Sequence, residues 1–273
     1  MIDLIIHTDA PAEGILPLPN TTYSSSDAWF TALADMHKAQ FAFQRRDLVE
    51  DADDARDKYV ARQLFRQVAA EGRYSPSDKD DSDQPRFALY SEDLRPANIL
   101  LDKDDNIIGV IDWEFAYAAP LSFSSCPPWW LLMEEPESWS PGGLAGWQET
   151  YEPRLQLFLS ALEGVEKDQT SHSSVGEPLS RRMRTSWTTK CWMRNYAARR
   201  SWAFDFMWWK HLDEAFFGPN EDQDHKPRLT RLSEAQRNAM EALVQEKLKE
   251  DQDTEITVWT GKEAVSHLAK YLL

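Results

Sequence analysis

The stretch YSEDLRPANILLDKDDNIIGVIDWEF, residues 90–115, concentrates the residue types that could do chemistry. Asp93 and Asn98 stand five positions apart in a polar segment, and Asp112 follows two short apolar runs. A carboxylate, an amide and a second carboxylate beyond a hairpin are the groups used to move a phosphoryl group from a nucleoside triphosphate. Such a transfer needs little covalent help, so the protein must hold metal ions and orient the acceptor hydroxyl. The oxygens of Asn98 and Asp112 suit hard Mg²⁺, which takes few protein ligands and keeps waters. Asp93, a separate carboxylate, would accept the hydroxyl proton. Pro96 would stiffen the loop between base and ligand.

These residues need elements to hold them. Residues 99–101 and 107–111 are rich in Ile, Leu and Val and flank the turn-like Lys103–Asn106, which predicts a small β-hairpin, with another apolar run at 87–90. Upstream, a strand is expected at residues 4–7 within a Pro- and Ser/Thr-rich linker over 1–22. Asp27 would cap a helix bearing Trp29, Phe30, Leu33, Met36, His37 and Phe41 at helical spacing. A second helix is expected over 53–71, ended by Gly72, and residues 75–85 form a charged loop. After Pro120 the pattern turns helical, at 143–165, 179–217, 233–250 and 263–272, with polar connectors at 164–178 and 218–227. The predicted class is α+β, predominantly α, with the hairpin carrying the catalytic and metal-binding residues.

Composition narrows the partners. With 46 acidic and 30 basic residues the chain carries a formal charge of −16, which disfavours nucleic acid and anionic membrane surfaces. The apolar run around 127–133 is too short to span a bilayer. The first residues lack the basic and apolar regions of a signal peptide. Two cysteines, Cys126 and Cys191, cannot build a disulfide framework or a four-ligand zinc site, so a reduced, cytoplasmic protein is expected.

Residues 90–120 resemble the catalytic core of the aminoglycoside phosphotransferase-like (phosphotransferase enzyme) family, a branch of the protein-kinase-like fold, and its fungal members in particular. The likeness rests on D-L-x-P-x-N-I-L-x-D at Asp93–Asp102, I-D-W-E-F-A at 111–116, Pro120, and P-P-W-W-L-L at 127–132. It extends more loosely over residues 23–217. The resemblance implies a Mg²⁺- and ATP-dependent O-phosphotransferase with Asp93 as base and Asn98 and Asp112 as metal ligands. The acceptor would be a small hydroxyl compound.

The front of the chain departs from that pattern. Kinase-like enzymes carry an N-terminal sheet with a phosphate-covering loop and a strand-borne Lys. Here only Lys38, Lys58 and Lys79, and only Gly14 and Gly72, precede Asp93. The expectation is a C-lobe over 23–273 without its N-lobe, residues 1–22 being a linker or remnant. Two functions follow: a phosphotransferase weak or inactive as this chain alone, or a catalytically silent C-lobe that binds a ligand or a protein.

Other residues carry two readings each. Of the 12 tryptophans, Trp129, Trp130 and Trp139, with Trp187, Trp192, Trp202, Trp208 and Trp209, are either core, Trp202, Phe206 and Trp209 sharing one helix face, or a cleft whose indole faces hold a cationic acceptor. The basic stretch 181–210 either pairs with acidic neighbours or binds phosphate or a partner. His37 reads as a satisfied core histidine, and Cys126 and Cys191 as small buried side chains. The six histidines lack zinc-binding spacing.

Overall fold

The computed structural model describes residues 22–44, 49–75, 87–140, 142–169, 177–250 and 259–271. The expected strand at 4–7, Lys79 and nearly all of the charged loop lie outside those residues. In chain order the elements are α1 Ser26–Phe43, α2 Ala52–Ala70, β1 Phe87–Ser91, β2 Ile99–Leu101, β3 Ile107–Val110, β4 Ala116–Pro120 and α3 Leu121–Ser124. There follow α4 Gly143–Gln169, α5 Leu179–Thr188, α6 Cys191–Arg199, α7 Ser201–Met207, α8 Asp213–Phe217, α9 Glu234–Glu250 and α10 Gly261–Ala269. Among the described residues the fold is mostly α-helical with two small antiparallel ladders, β1–β4 and β2–β3. Among the described residues no helix is long and apolar enough to cross a membrane. The chain divides into two compact units, one of residues 1–76 with 196–273, the other of residues 77–195.

In the first unit, α1 and α2 supply the core. Trp29, Phe30, Leu33, Met36, His37 and Phe41 are all buried, as their spacing predicts. The cap differs: Ser25, in an extended conformation, accepts from the Ala28 amide at 3.2 Å, while Asp27 lies inside the first turn. An N-cap must sit outside the helical dihedrals to aim its oxygen at the free amides, and Asp27 instead opposes the helix dipole's positive end. Asp51 caps α2 through the amides of Asp53 and Asp54. Gly72 ends it with φ 65°, a left-handed conformation that suits glycine. At the other end of α1, the buried Lys247 of α9 donates to the carbonyls of Ala42 and Gln44 at 3.1 and 2.9 Å.

His37 is fully buried, its Nε2 2.8 Å from the Ala198 carbonyl oxygen and its ring against Phe65 and Phe204. Burial, with Arg62 nearby, pushes its pKa down from 6.5 to about 3. The unfolded chain therefore takes up this proton first. The stability His37 confers is complete above pH 6.5 and falls as the pH drops toward 3, a loss of about 2 kcal/mol at pH 5. Urea unfolding between pH 7 and 4 should show that acid limb, and His37→Phe should flatten it; equal slopes would show that His37 does not set it.

The single long helix expected over 179–217 is broken. Lys190 takes φ 60° between α5 and α6, Arg200 is extended before α7, and a π-helical turn, Trp208–Leu212, joins α7 to α8. The helical phase is therefore not carried through, and the core face is not the expected one. Ala203, Phe204, Met207 and Trp208 are buried, Trp209 also, whereas Trp202 is half exposed. Apolar residues lie on both faces of this segment, so spacing alone could not choose between them. Downstream, α9 and α10 fall close to the expected positions.

In the second unit, β1 and β4 pair with Tyr90 opposite Tyr117 and Ser91 opposite Ala116. The β2–β3 hairpin pairs Ile99 with Val110 and is irregular between Leu100 and Leu101. Its turn is closed by Asp102, whose carboxylate accepts from the amides of Asp104 and Asn106 and is held below the usual range, chiefly by the Asn106 side chain. Strand β4 was not anticipated, because an Ala-rich stretch has little intrinsic β preference and pairing with β1 decides it. Helix α4 runs on beyond the expected 165 to Gln169, into the stretch expected as a polar connector, and carries Gly164 at a cost of only about 1 kcal/mol.

Four aromatics pack together in this unit. Trp147 stacks on Tyr151 at 4.3 Å, Trp187 on Trp192 at 5.2 Å, and Tyr151 lies 5.1 Å from Trp187. Their faces meet one another and Trp147, Tyr151 and Trp192 are buried, so Trp187 and Trp192 pack as core rings here. In the basic stretch, Arg181 pairs with Glu177 and Arg184 with Glu163, in accord with acidic pairing. Cys126 and Cys191 are free and only half-buried by area. Burial still pushes the Cys126 thiol up to about 12, its Sγ lying 3.6 Å from the Ser122 carbonyl oxygen.

Candidate active site

Asp93, Asn98 and Asp112 all lie in the second unit, on connections made by its two ladders. Asp93 sits in the turn after β1. Asn98 closes the 3-10 turn Pro96–Asn98, which Pro96 opens from a position that lacks nothing by having no amide hydrogen. Asp112 ends the connection leaving β3 and precedes the 3-10 turn Trp113–Phe115.

Asn98 ties the three together. Only 5% exposed, it donates from Nδ2 to the Asp93 backbone carbonyl at 2.7 Å and to Asp93 Oδ2 at 2.8 Å. Its own carbonyl accepts from the Ile111 amide at 3.0 Å, directly before Asp112. One side chain thus fixes the turn that carries Asp93, and the same residue's backbone fixes the approach to Asp112. With its nitrogen committed to Asp93, the amide oxygen is the side-chain atom Asn98 has left for a cation.

Asp112 adopts φ 59°, ψ 51°, the left-handed region that Asp tolerates better than most residues. Its carboxylate is exposed and makes no cap bond to the 3-10 turn that follows. An acid held in a sparsely populated conformation without a capping role fits a functional position. The Trp113 indole donates to the Val110 carbonyl at 2.9 Å and fixes this connection from the other side.

Arg95 lies across the Asp93 carboxylate, its Nε 3.1 Å from Oδ1 but not aligned for a hydrogen bond. Each carboxylate oxygen has two lone pairs, so Asp93 keeps acceptor capacity with both neighbours in place. Glu92, beside it, faces the other way: its carboxylate accepts from the Tyr117 hydroxyl at 2.6 Å, and its amide donates to the Phe115 carbonyl at 3.3 Å. Burial first, and then the Glu92 charge, push the Tyr117 hydroxyl far above its usual range, so it stays a donor. Nothing in the spacing pointed to Arg95 or Tyr117. The latter could be found only through the β1–β4 register.

No three His, Cys, Asp or Glu side chains gather as a metal cluster among the described residues. The donors on offer to a cation are one amide oxygen and one carboxylate, and hard oxygen donors of that kind fit Mg²⁺ completed by water. Lys38 and Lys58 lie on α1 and α2, Lys58 paired with Asp54 at 2.8 Å.

No solved structure matches the chain. Among curated proteins, the clavilactone A biosynthesis cluster protein Y of Ampulloclitocybe clavipes is 37% identical over 79 residues, 27% of this chain and 20% of that protein. The matched part is thus about a fifth of that relative's length. The profile of the phosphotransferase enzyme family matches residues 7–158, more than half of the 273. The chain belongs to the phosphotransferase enzyme family.

Proposed function

We propose that residues 23–273 form the helical C-lobe of a Mg²⁺- and ATP-dependent O-phosphotransferase of the family's fungal branch, with a small hydroxyl compound as acceptor. The observation that carries this reading is the double donation from Asn98 to Asp93, joined through the Asn98 carbonyl to the segment bearing Asp112. Asn98 and Asp112 would hold Mg²⁺, and Asp93 would take the acceptor proton. Bound there, the ion would offset charge on the phosphate oxygens. Asn98 would keep the base and the ligand oxygens at a fixed spacing, with Arg95 lying across the Asp93 side chain. A relative named for a biosynthesis cluster fits a small-molecule acceptor. Free thiols at Cys126 and Cys191 fit the cytoplasm, and a charge of −16 fits neither nucleic acid nor an anionic membrane as partner.

The second reading, a silent C-lobe that binds a ligand or protein, draws on the hairpins. Leu89, Ile107 and Ile108 are each about two-thirds exposed, and apolar surface of that kind marks contact sites. Thermal unfolding with and without millimolar Mg·ATP separates the two. At about 100 times its dissociation constant the nucleotide should add about 2.7 kcal/mol of stability. That gain should need Mg²⁺ and vanish in Asp112→Ala. No gain in the folded chain would overturn the phosphotransferase reading and leave the silent one.

A further inference from the structure

The turn that carries Asp93 is held on one side by Asn98 and on the other through Glu92. The β1–β4 ladder ends at the Ser91–Ala116 pair, and the one backbone bond beyond it, from the Glu92 amide to the Phe115 carbonyl, is long at 3.3 Å. A side-chain link adds to it, the 2.6 Å bond from the Tyr117 hydroxyl to the Glu92 carboxylate. It crosses 25 residues of sequence and joins the residue before Asp93 to the strand that follows the Asp112 turn. A short hydrogen bond to a charged acceptor is among the stronger kinds, and this one is part-buried. The Tyr117 ring is itself seated edge-on against Tyr90, its cross-strand partner, and Tyr90 in turn against Phe123.

We infer that Tyr117 is a positioning residue for the cation site: through Glu92 it holds the Asp93 turn in the form that engages the Asn98 amide nitrogen and keeps the Asn98 amide oxygen for a divalent cation. The inference rests on the phosphotransferase reading above. Three hydrogen bonds carry it, one from Tyr117 to Glu92 and, one residue on, two from Asn98 to the Asp93 carbonyl and carboxylate. The latch also ties the Glu92 carboxylate to β4. Without that bond the Glu92 carboxylate would lose its tie to β4, and the Asp93 turn that sets the Asn98 amide would be less constrained. Residues that orient metal ligands typically change metal affinity about 10–100-fold when removed.

The test is Mn²⁺ binding to the full chain, followed as loss of the free-ion electron paramagnetic resonance signal, with circular dichroism to show that each variant is folded. Tyr117→Phe, which removes only the hydroxyl, should weaken Mn²⁺ about tenfold. Glu92→Ala breaks the same bond from its other end and should match it, which guards against misfolding of either variant. Glu92→Gln keeps an acceptor oxygen for the hydroxyl and should bind close to wild type, a rescue that a general loss of packing would not give. Asp112→Asn should abolish saturable binding and so marks the site. Wild-type affinity in Tyr117→Phe and Glu92→Ala, with Asp112→Asn still defective, would overturn the latch and leave the phosphotransferase reading standing. Absence of Mn²⁺ binding to the wild type, or binding indifferent to Asp112, would overturn that reading and the latch with it.

Discussion

Arg62→Ala is expected to destabilise the chain by about 3 kcal/mol, because it leaves the half-buried Asp205 carboxylate without its partner. The Arg62 side chain is 1% exposed and meets Asp205, itself 17% exposed, through two bonds of 2.6 and 3.1 Å. Its Nε donates to the His37 carbonyl at 3.1 Å, and the guanidinium lies over the rings of Phe41 and Phe204 at 5.0 and 5.4 Å. Truncation therefore removes the counter-charge of Asp205 and empties the slot between two rings. The pair itself need not be stabilising, since desolvation of both ions offsets much of their attraction. Replacing both, as Arg62→Met with Asp205→Leu, should accordingly recover most of the loss. Urea unfolding of the three variants checks this. A cost below about 1 kcal/mol for Arg62→Ala would mean the pair behaves as a solvent-exposed one.

Trp147→Ala should cost a similar amount, about 3–5 kcal/mol, through a different mechanism. Trp147 is 2% exposed, stacks on Tyr151 at 4.3 Å and faces Trp192 at 5.6 Å. Its indole nitrogen donates to the Glu134 carbonyl at 2.9 Å, which ties α4 to the irregular segment before it. Alanine would leave a cavity bounded by rings too large and too well fixed by their neighbours to collapse into it. Trp147→Phe retains most of the stacking surface and loses the hydrogen bond, so its cost should be nearer about 1 kcal/mol above the volume change. Denaturant midpoints rank the two variants; equal costs would show that the hydrogen bond, and not the stack, dominates.

The sequence by itself determined the class of the fold and the identity of the candidate residues. Helical spacing of Trp29, Phe30, Leu33, Met36, His37 and Phe41 reports a buried face wherever one continuous helix forms, and α1 is such a helix. The hairpin at β2–β3 was legible because Ile- and Val-rich runs flank turn residues, both local preferences. Asp93, Asn98 and Asp112 were legible because hard-oxygen donors at fixed spacing around a hairpin are uncommon. What the spacing did not contain was register and phase. Strand β4 exists because β1 lies beside it, and Tyr117 reaches Glu92 because that pairing sets Tyr90 opposite Tyr117. The break at Arg200 and the π turn at Trp208–Leu212 turned Trp202 outward and Phe204 and Trp208 inward, a choice between two apolar faces that local preference leaves open. The aromatic cluster was a list of ring positions until tertiary packing stacked Trp147 on Tyr151 and Trp187 on Trp192 and made it core. Local preference is a property of neighbours in the chain, and so the sequence reports it directly; pairing partners, helix phase and ring stacking depend on residues tens of positions apart, and only the folded chain brings those together.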